Sequence, residues 1–560
     1  MNDDPRPNII VLLADDLGFS DIGCYGSEIR TPHLDTLARA GVTMSSFYNT
    51  ARCSPSRASL LTGLDPHQTG IGILTGDTRP AGYAGDLDPR CTTLAELLRE
   101  NGYRTSIIGK WHLARDTGSP NGAWPTRRGF DAHWGPLGGA CSYFEPTTMA
   151  EDEQLIQVDE PNFHLTEALG VRAASTIREA AQEQSPFFLY LPFTAPHWPL
   201  HARPEEIAAY DGVYERGWDA VREDRWHAMG GLGVFGERCP PLSDRDPDVP
   251  AWDAVADKDW QAIRMQVYAA QITAMDTAIG EVICALEETG QHANTLILFL
   301  SDNGGCAEEI PAGWADEMSP LPYNVPARTR TGERVRKGND PSVVPGGPAT
   351  FATYGKPWAN VSNTPFREYK HWVHEGGIAT PLIAHWPDGG LEHGWDHSSH
   401  QLTDIVPTVL EAVGGSGPRT PDEGGPGPDG PSLRGRSMLP SWRDRRKAPD
   451  DHPLFFEHEG NAAIRRGRWK GVRKHGEPWE LYDLERDRTE TFDLAAAHPG
   501  LLAELTATWT AWARRCGVRE RSAILAQRSS RRGGGLVQEF RSAVTDTTVE
   551  TTNLPDEPTA

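Results

Sequence analysis

Four groups of residues in this 560-residue chain carry side chains suited to chemistry, and each follows a short apolar run. Asp15 and Asp16 follow "NIIVLLA" (8–14), and Lys110 and His112, in "GKWHL", follow "RTSIIG" (104–109). His197, in "APHWPLHARP", follows "PFFLYLPF" (186–193), and Asp302 and Asn303, in "SDNGG", follow "TLILFL" (295–300). Continuous apolar runs of this length suit strands buried on both faces of a parallel sheet. Open α/β sheets bind ligands outside the carboxyl ends of such strands. Taken singly, paired aspartates often cap a helix, a lone histidine often sits at a surface, and Asp-Asn-Gly is a common turn. Four such groups at one topological position point instead to one shared site.

Asp15, Asp16, Asp302 and Asn303 offer only oxygen donors, which Ca²⁺ and Mg²⁺ favour and zinc and copper do not. Three carboxylates converging without a cation would repel one another and push one pKa up, so a divalent cation is the simplest resolution. A fifth stretch, "ARCSPSRASLLTG" (51–63), puts Cys53 in a turn-like segment ahead of Arg57 and a helix-like run. Locally, that cysteine reads equally well as a buried small hydrophobe and as a reactive group.

The elements that must position these groups alternate along the chain. "ATPLIAHW" (379–386) is a fifth candidate strand. "TTLAELLREN" ends as a helix at Gly102, and "LTDIVPTVLEAVGG" is another with a glycine stop. Between Ile263 and Leu286, Met265, Tyr268, Ile272, Met275, Ile279 and Ile283 fall on one helical face. This alternation predicts an α/β fold with helices on both faces of the sheet. Residues 414–435 are dominated by Gly and Pro and read as a connection. The expected organisation is a catalytic domain over 1–435, a smaller C-terminal domain over 436–528 with short strands and a helix (500–516), and a polar tail over 529–560.

Composition bounds the function class. Hydrophobic residues at 38% and charged residues at 24% read as ordinary globular protein. A formal net charge of −24 repels nucleic acid and anionic membranes, so neither is an expected partner. An anionic substrate would need a local cationic pocket. No apolar run approaches spanning length, and the N-terminus lacks a basic region and cleavage site. The eight cysteines are scattered without a C-x-x-C pair, against a disulfide scaffold or zinc site. The expected location is cytoplasmic; no feature reads as oligomeric state.

The ordered motifs give the chain a family. "CSPSRASLLTG" fits C-x-P-x-R-x(4)-T-G through Cys53, Pro55, Arg57, Thr62 and Gly63. With "ADDLGFSDIGCYG", "TPHLDTLARAGV", "GKWHL", "PHWP", "SDNGG", "YKHWVHEGG" and "TPLIAHWP", in that order over roughly 8–413, the sequence resembles the formylglycine-dependent sulfatases of the alkaline phosphatase superfamily, most of all the bacterial arylsulfatases. The resemblance implies a large mixed, mostly parallel sheet flanked by helices, with a smaller C-terminal α+β domain. It implies that a formylglycine-generating enzyme oxidises Cys53, Pro55 and Arg57 being its recognition residues. The hydrated aldehyde would then hydrolyse a small-molecule sulfate ester through a covalent sulfated enzyme.

By the same resemblance Asp15, Asp16, Asp302, Asn303 and the residue at 53 would hold the cation, calcium by analogy and magnesium as the alternative. Asp302 would also take the attacking hydroxyl's proton. Arg57 and Lys110 would orient the diol and sulfate. His112, with an ordinary pKa of about 6.5, would take the second hydroxyl's proton. His197 and Lys370 would bind sulfate and protonate the leaving alkoxide. Two alternatives stand beside this reading. A formylglycine-dependent phosphonate monoester or phosphodiester hydrolase would tend to carry histidine at Asn303 and lack the second of the paired aspartates. An unconverted Cys53 would leave a non-catalytic anion- or metal-binding protein.

Overall fold

The structure, a computed structural model, describes residues 6–75, 82–183, 185–312, 326–415, 433–447 and 452–524. Most of the Gly/Pro-rich connection and the polar tail from 529 lie outside the described residues.

Seven strands build the main sheet: β1 (Asn8–Ala14), β2 (Val42–Tyr48), β3 (Arg104–Ile108), β4 (Ala132–Pro136), β5 (Phe187–Pro192), β6 (Thr295–Ser301) and β7 (Ala379–His385). Their spatial order is β2-β7-β6-β1-β5-β3-β4, and four short pieces at the two edges bring the sheet to eleven strands. From β6 to β4 all pairings are parallel, while β7 runs antiparallel to both β6 and β2. The sheet is thus mixed and mostly parallel, as the resemblance implied. All five apolar runs of the sequence are strands, within one residue of their expected bounds.

Alternation along β1 explains why both faces need cover. Ile10, Leu12 and Ala14 enter one hydrophobic core, while Ile9, Val11 and Leu13 enter the other. The first face is covered by the helices Leu165–Glu183 and Lys258–Glu288, the second by Cys53–Thr62, Leu94–Glu100 and Ile405–Val413. Lys258–Glu288 corrects one sequence expectation, because by length and composition it could cross a bilayer. Most of it is buried against the sheet and its neighbours, as in the core helix of a globular body.

A second, antiparallel sheet follows: Leu454–His458, Asn461–Arg466, Trp469–Arg473 and Glu480–Asp483. One of its faces packs on the helix Pro499–Cys516 through Phe455, Ile464, Leu505, Trp509 and Trp512. The other gives Leu454, Phe456, Ala463 and Val472 to the main core. Between the two sheets lies a buried charge cluster. Lys470 Nζ reaches Glu375 at 2.9 Å and Glu490 at 2.7 Å, and Arg488 Nε reaches Glu375 at 3.0 Å. Glu375 stands five residues after Lys370, so the small sheet grips the segment that carries a candidate site lysine. Removing one partner of a buried pair strands the other charge away from water. Lys470→Ala should therefore lower unfolding stability by about 3–5 kcal/mol in a denaturant titration; a change near that of an exposed alanine substitution would contradict the grip.

Candidate functional site

The ends of the parallel strands deliver the sequence-derived residues to one place. Asp15 and Asp16 leave β1, and Asp302 and Asn303 follow β6, the neighbouring parallel strand. Lys110 and His112 leave β3, and His197 follows β5. Cys53 is the first residue of the helix Cys53–Thr62, in which every residue is buried. Lys370 arrives from the segment before β7, with its N–H on the Gly305 carbonyl at 3.1 Å; His371 N–H donates to Ala51 at 2.8 Å.

Local backbone strain marks the site. Asp16, Ala51, His112, Glu368 and His371 are non-glycine residues at positive φ, a conformation costing about 1–3 kcal/mol each. Each lies in or beside one of the motifs. Glycine serves where a side chain has no room: Gly109 takes φ +135° with the Pro192 carbonyl where a Cβ would stand. A Cβ at Gly139 would come within 2.7 Å of the His112 ring.

Three carboxylates are matched by three permanent cations. Arg57 donates Nε and Nη2 to Asp302 Oδ2 at 3.0 and 2.8 Å, and Nη1 to the Lys110 carbonyl at 3.0 Å. Lys110 Nζ pairs with Asp15 Oδ2. Lys370 Nζ sits 2.7 Å from Asp16 Oδ1. His197 Nε2 lies 3.4 Å from Asp16 Oδ2, and its Nδ1 is 2.7 Å from the Trp198 carbonyl. All these groups are buried.

The fields at the site push its groups apart. Burial raises Asp15, but Lys110, His197, Arg57 and Lys370 together outweigh that and hold its carboxyl well below the ordinary range. Burial and the neighbouring Asp15 push Asp302 up to about 7, against Arg57 and Lys110. Burial pushes the Cys53 thiol up, and the nearby Lys110 and Lys370 do not reverse it. A buried His112 beside Lys110 and Arg57 is held well below 6.5, which corrects the expectation of an ordinary imidazole.

Two buried oxygens, Asp15 Oδ1 and Asn303 Oδ1, have no hydrogen-bond partner among the described residues. Each costs roughly 1–3 kcal/mol if left so. Asn303 Nδ2 donates to Asp16 Oδ1 at 2.6 Å, turning its oxygen away from that bond. Orphaned hard oxygens beside a crowd of carboxylates fit a divalent cation. Asp15, Asp16, Asp302 and Asn303 would supply its oxygens. His197, read from the sequence as a sulfate-binding residue, also stands beside this set. Ligand atoms of Asp15, Asp16 and His197 all lie within 4.8 Å of one another, so a nitrogen donor stands among the oxygens. Asp302 stays outside that trio; its Oδ1 accepts from Asp16 N–H at 3.2 Å and its Oδ2 faces Arg57. For a hard cation the oxygen set is the better match.

Cys53, His112, His197 and Lys370 line one cavity of about 400 Å³. Arg57, Lys110, Asp15, Asp16 and Asp302 do not line it but adjoin it through His197 and Lys370, which both reach Asp16. A neighbouring cavity of about 540 Å³ meets it across Arg52, Glu308 and Lys370. The rim was not read from sequence. Glu308 bonds Arg52 Nη1 at 2.9 Å and Trp198 Nε1 at 3.1 Å, fixing both over the opening. Arg52 and Trp198 each adjoin a motif residue, which was the only local signal; Glu308 had none.

Comparisons with known proteins agree with this architecture. The sulfatase family model matches residues 7–415. A sulfatase of Schizosaccharomyces pombe is 32% identical over 545 residues, covering 92% of this chain and 94% of that protein. An arylsulfatase of Klebsiella aerogenes is 34% identical over 425 residues, covering 73% of this chain and 87% of that one. Among solved structures, the PsFucS1 sulfatase from Pseudoalteromonas sp. shares the fold with a TM-score of 0.61 at 20% identity, covering 93% of this chain and 91% of that one.

A proton held near Asp302 must leave when a cation takes the carboxylates. The raised pKa means that the cation-free site keeps this proton below about pH 7 and releases it above. Calorimetric titration of chelator-treated protein with Ca²⁺ should therefore give affinity that falls below about pH 7, by up to about tenfold per unit, and levels above it. Equal affinity across that range would contradict the assignment.

Proposed function

Belonging to the sulfatase family makes this chain a sulfuric ester hydrolase, and we propose that it works through a formylglycine made from Cys53 and a covalent sulfated-enzyme intermediate. The observation that carries this reading is the cavity on which Cys53, His112, His197 and Lys370 converge, two of them also touching the carboxylate cluster at Asp16. A thiol raised by burial is a poor thiolate nucleophile even with two lysines near it. That state suits a precursor better than a working cysteine. A hydrated aldehyde at this position offers one hydroxyl to attack sulfur and a second whose deprotonation expels sulfate.

Placement supports each remaining role in this proposal. Arg57 holds Asp302 and the Lys110 carbonyl together, so the proton acceptor for the attacking hydroxyl and the strand end beside it keep one geometry. Lys110 and Lys370, both buried, meet the sulfate oxygens by charge-assisted hydrogen bonds. His197, with Nδ1 on the Trp198 carbonyl, presents Nε2 to the leaving oxygen. His112 is uncharged and its Nδ1 has no partner among the described residues, so it can accept the second hydroxyl's proton. A bound divalent cation, calcium or magnesium, would polarise the sulfate oxygens and lower the attacking hydroxyl's pKa. With three carboxylates offset by three cations, that added charge is what an incoming sulfate ester monoanion meets. Maturation by a formylglycine-generating enzyme is part of the same proposal.

The aldehyde requirement separates two substitutions. Cys53→Ala should release no sulfate from an aryl sulfate while folding normally. Cys53→Ser should release about one equivalent of the phenol and then stop, its serine left sulfated, because a single hydroxyl can attack but cannot expel. Continuous turnover by the serine variant would overturn the two-hydroxyl mechanism.

A further inference from the structure

A second concentration of positive charge lies away from the catalytic cavity and shares none of its lining residues. A cavity of about 210 Å³ opens between Ser45 and Ser46 of β2, the segment around Arg238, and Arg465, Arg486 and Arg488 of the C-terminal unit. Four arginines and His397 line it, and Glu485 is the one carboxylate among its described lining residues. In a chain of net charge −24 this is a marked local inversion.

Two of the arginines are built into the structure. Arg465 is 8% exposed and Arg488 7%. Both guanidinium groups converge on one oxygen: Arg465 Nη1 and Arg488 Nη2 donate to the Tyr48 hydroxyl, which itself donates to Glu375 Oε2 at 2.9 Å. Their Nε groups are satisfied by the Gly467 carbonyl at 3.2 Å and by Glu375 at 3.0 Å. Arg465 Nη2 and Arg488 Nη1 have no protein acceptor among the described residues. Two like charges held on one hydroxyl repel, and the buried cluster does not cancel them. Arg465, Arg488 and Lys470 face Glu375 and Glu490, leaving one positive charge in excess at the cavity wall. Arg238 adds another without an ion pair among the described residues, and Arg486 is only loosely held, 3.8 Å from Asp483. Ser45 Oγ and His397 Nδ1, 2.8 Å apart, complete a polar wall.

We propose that this cavity is a second, non-catalytic site for a small tetrahedral oxyanion, sulfate or phosphate, held between the main sheet and the C-terminal unit. Guanidinium forks match oxyanion geometry and are the side chains best suited to it. The volume is below the roughly 300–1,000 Å³ of sites for drug-sized ligands, so an oxyanion with a few waters fits and a nucleotide does not. An anion there relieves the repulsion between the two buried guanidinium groups, which a neutral ligand cannot do. The proposal is independent of the catalytic chemistry.

The test is isothermal titration of the full chain with sodium sulfate and sodium phosphate, against sodium chloride at equal ionic strength. Wild type is compared with Arg238→Ala/Arg486→Ala, two exposed positions whose loss leaves the fold and the catalytic cavity intact. The expected result is one oxyanion fewer per chain in the double variant, or its binding weakened at least about tenfold, as losing charge-assisted hydrogen bonds implies. Turnover, and inhibition by the same anion at the catalytic cavity, should be unchanged. Sulfate binding without phosphate assigns the site to the reaction's own product; binding of both assigns it to oxyanions at large. Equal stoichiometry and affinity in the two proteins would overturn the proposal, as would a parallel loss of turnover and of catalytic-site inhibition.

Discussion

Asp15, Asp16 and Asp302 stand beside Arg57, Lys110 and Lys370, all six buried, and the rest of the structure answers to that crowding. Buried ions survive only when paired and hydrogen-bonded. The members of the balance come from separate elements of the catalytic half. β1 and β6 supply acids, the strand end after β3 supplies a lysine, and the buried helix supplies the arginine that ties two strand ends together. The pairing also explains why the cluster is still incomplete. Permanent charges cancel, yet Asp302 is pushed up to about 7 and two oxygens have no partner among the described residues. A neutral, oxygen-rich and under-satisfied pocket is a receptor for a cation first and an anion second.

The C-terminal unit belongs to this arrangement through Glu375. Its carboxylate takes Lys470 and Arg488 from one side, while five residues earlier in the chain Lys370 reaches Asp16. The second sheet therefore fixes the segment that closes the site, and its inner face shares the main core. Backbone strain at Asp16, His112 and His371 is tolerated because so many buried contacts determine those positions from several directions at once.

Much of this was legible in the sequence, and for a physical reason. Strands buried on both faces are mostly apolar, so β1, β5, β6 and β7 announce themselves, and side chains just past their ends inherit a common location. The helix Cys53–Thr62 was visible as a run behind Cys53, and the oxygen-only donor set followed from residue type. β2 was missed because "VTMSSFY" is fully buried yet half polar, its hydroxyls satisfied by distant partners. β4 was missed because "AHWGP" carries glycine and proline. Glu308, Glu375, Tyr48 and the arginine-lined cavity depend on contacts between residues hundreds of positions apart, which no local spacing encodes. The low basicity of His112 was illegible too, since it arises from burial and from cations that only the fold brings near.

The balance of charges bears most directly on Cys53, which sits at its edge as a buried thiol whose pKa is raised by burial. In the proposed mechanism this residue is a precursor whose sulfur is lost before catalysis. Trypsin cuts after Arg52 and Arg57 and so isolates Cys53–Arg57 as one peptide. Mass spectrometry of that peptide, taken from a preparation whose sulfate release per chain has been counted, compares chemistry with activity in one sample. The expected result is an aldehyde or its hydrate in proportion to the active fraction; a peptide carrying only the intact thiol in a fully active sample would contradict the account.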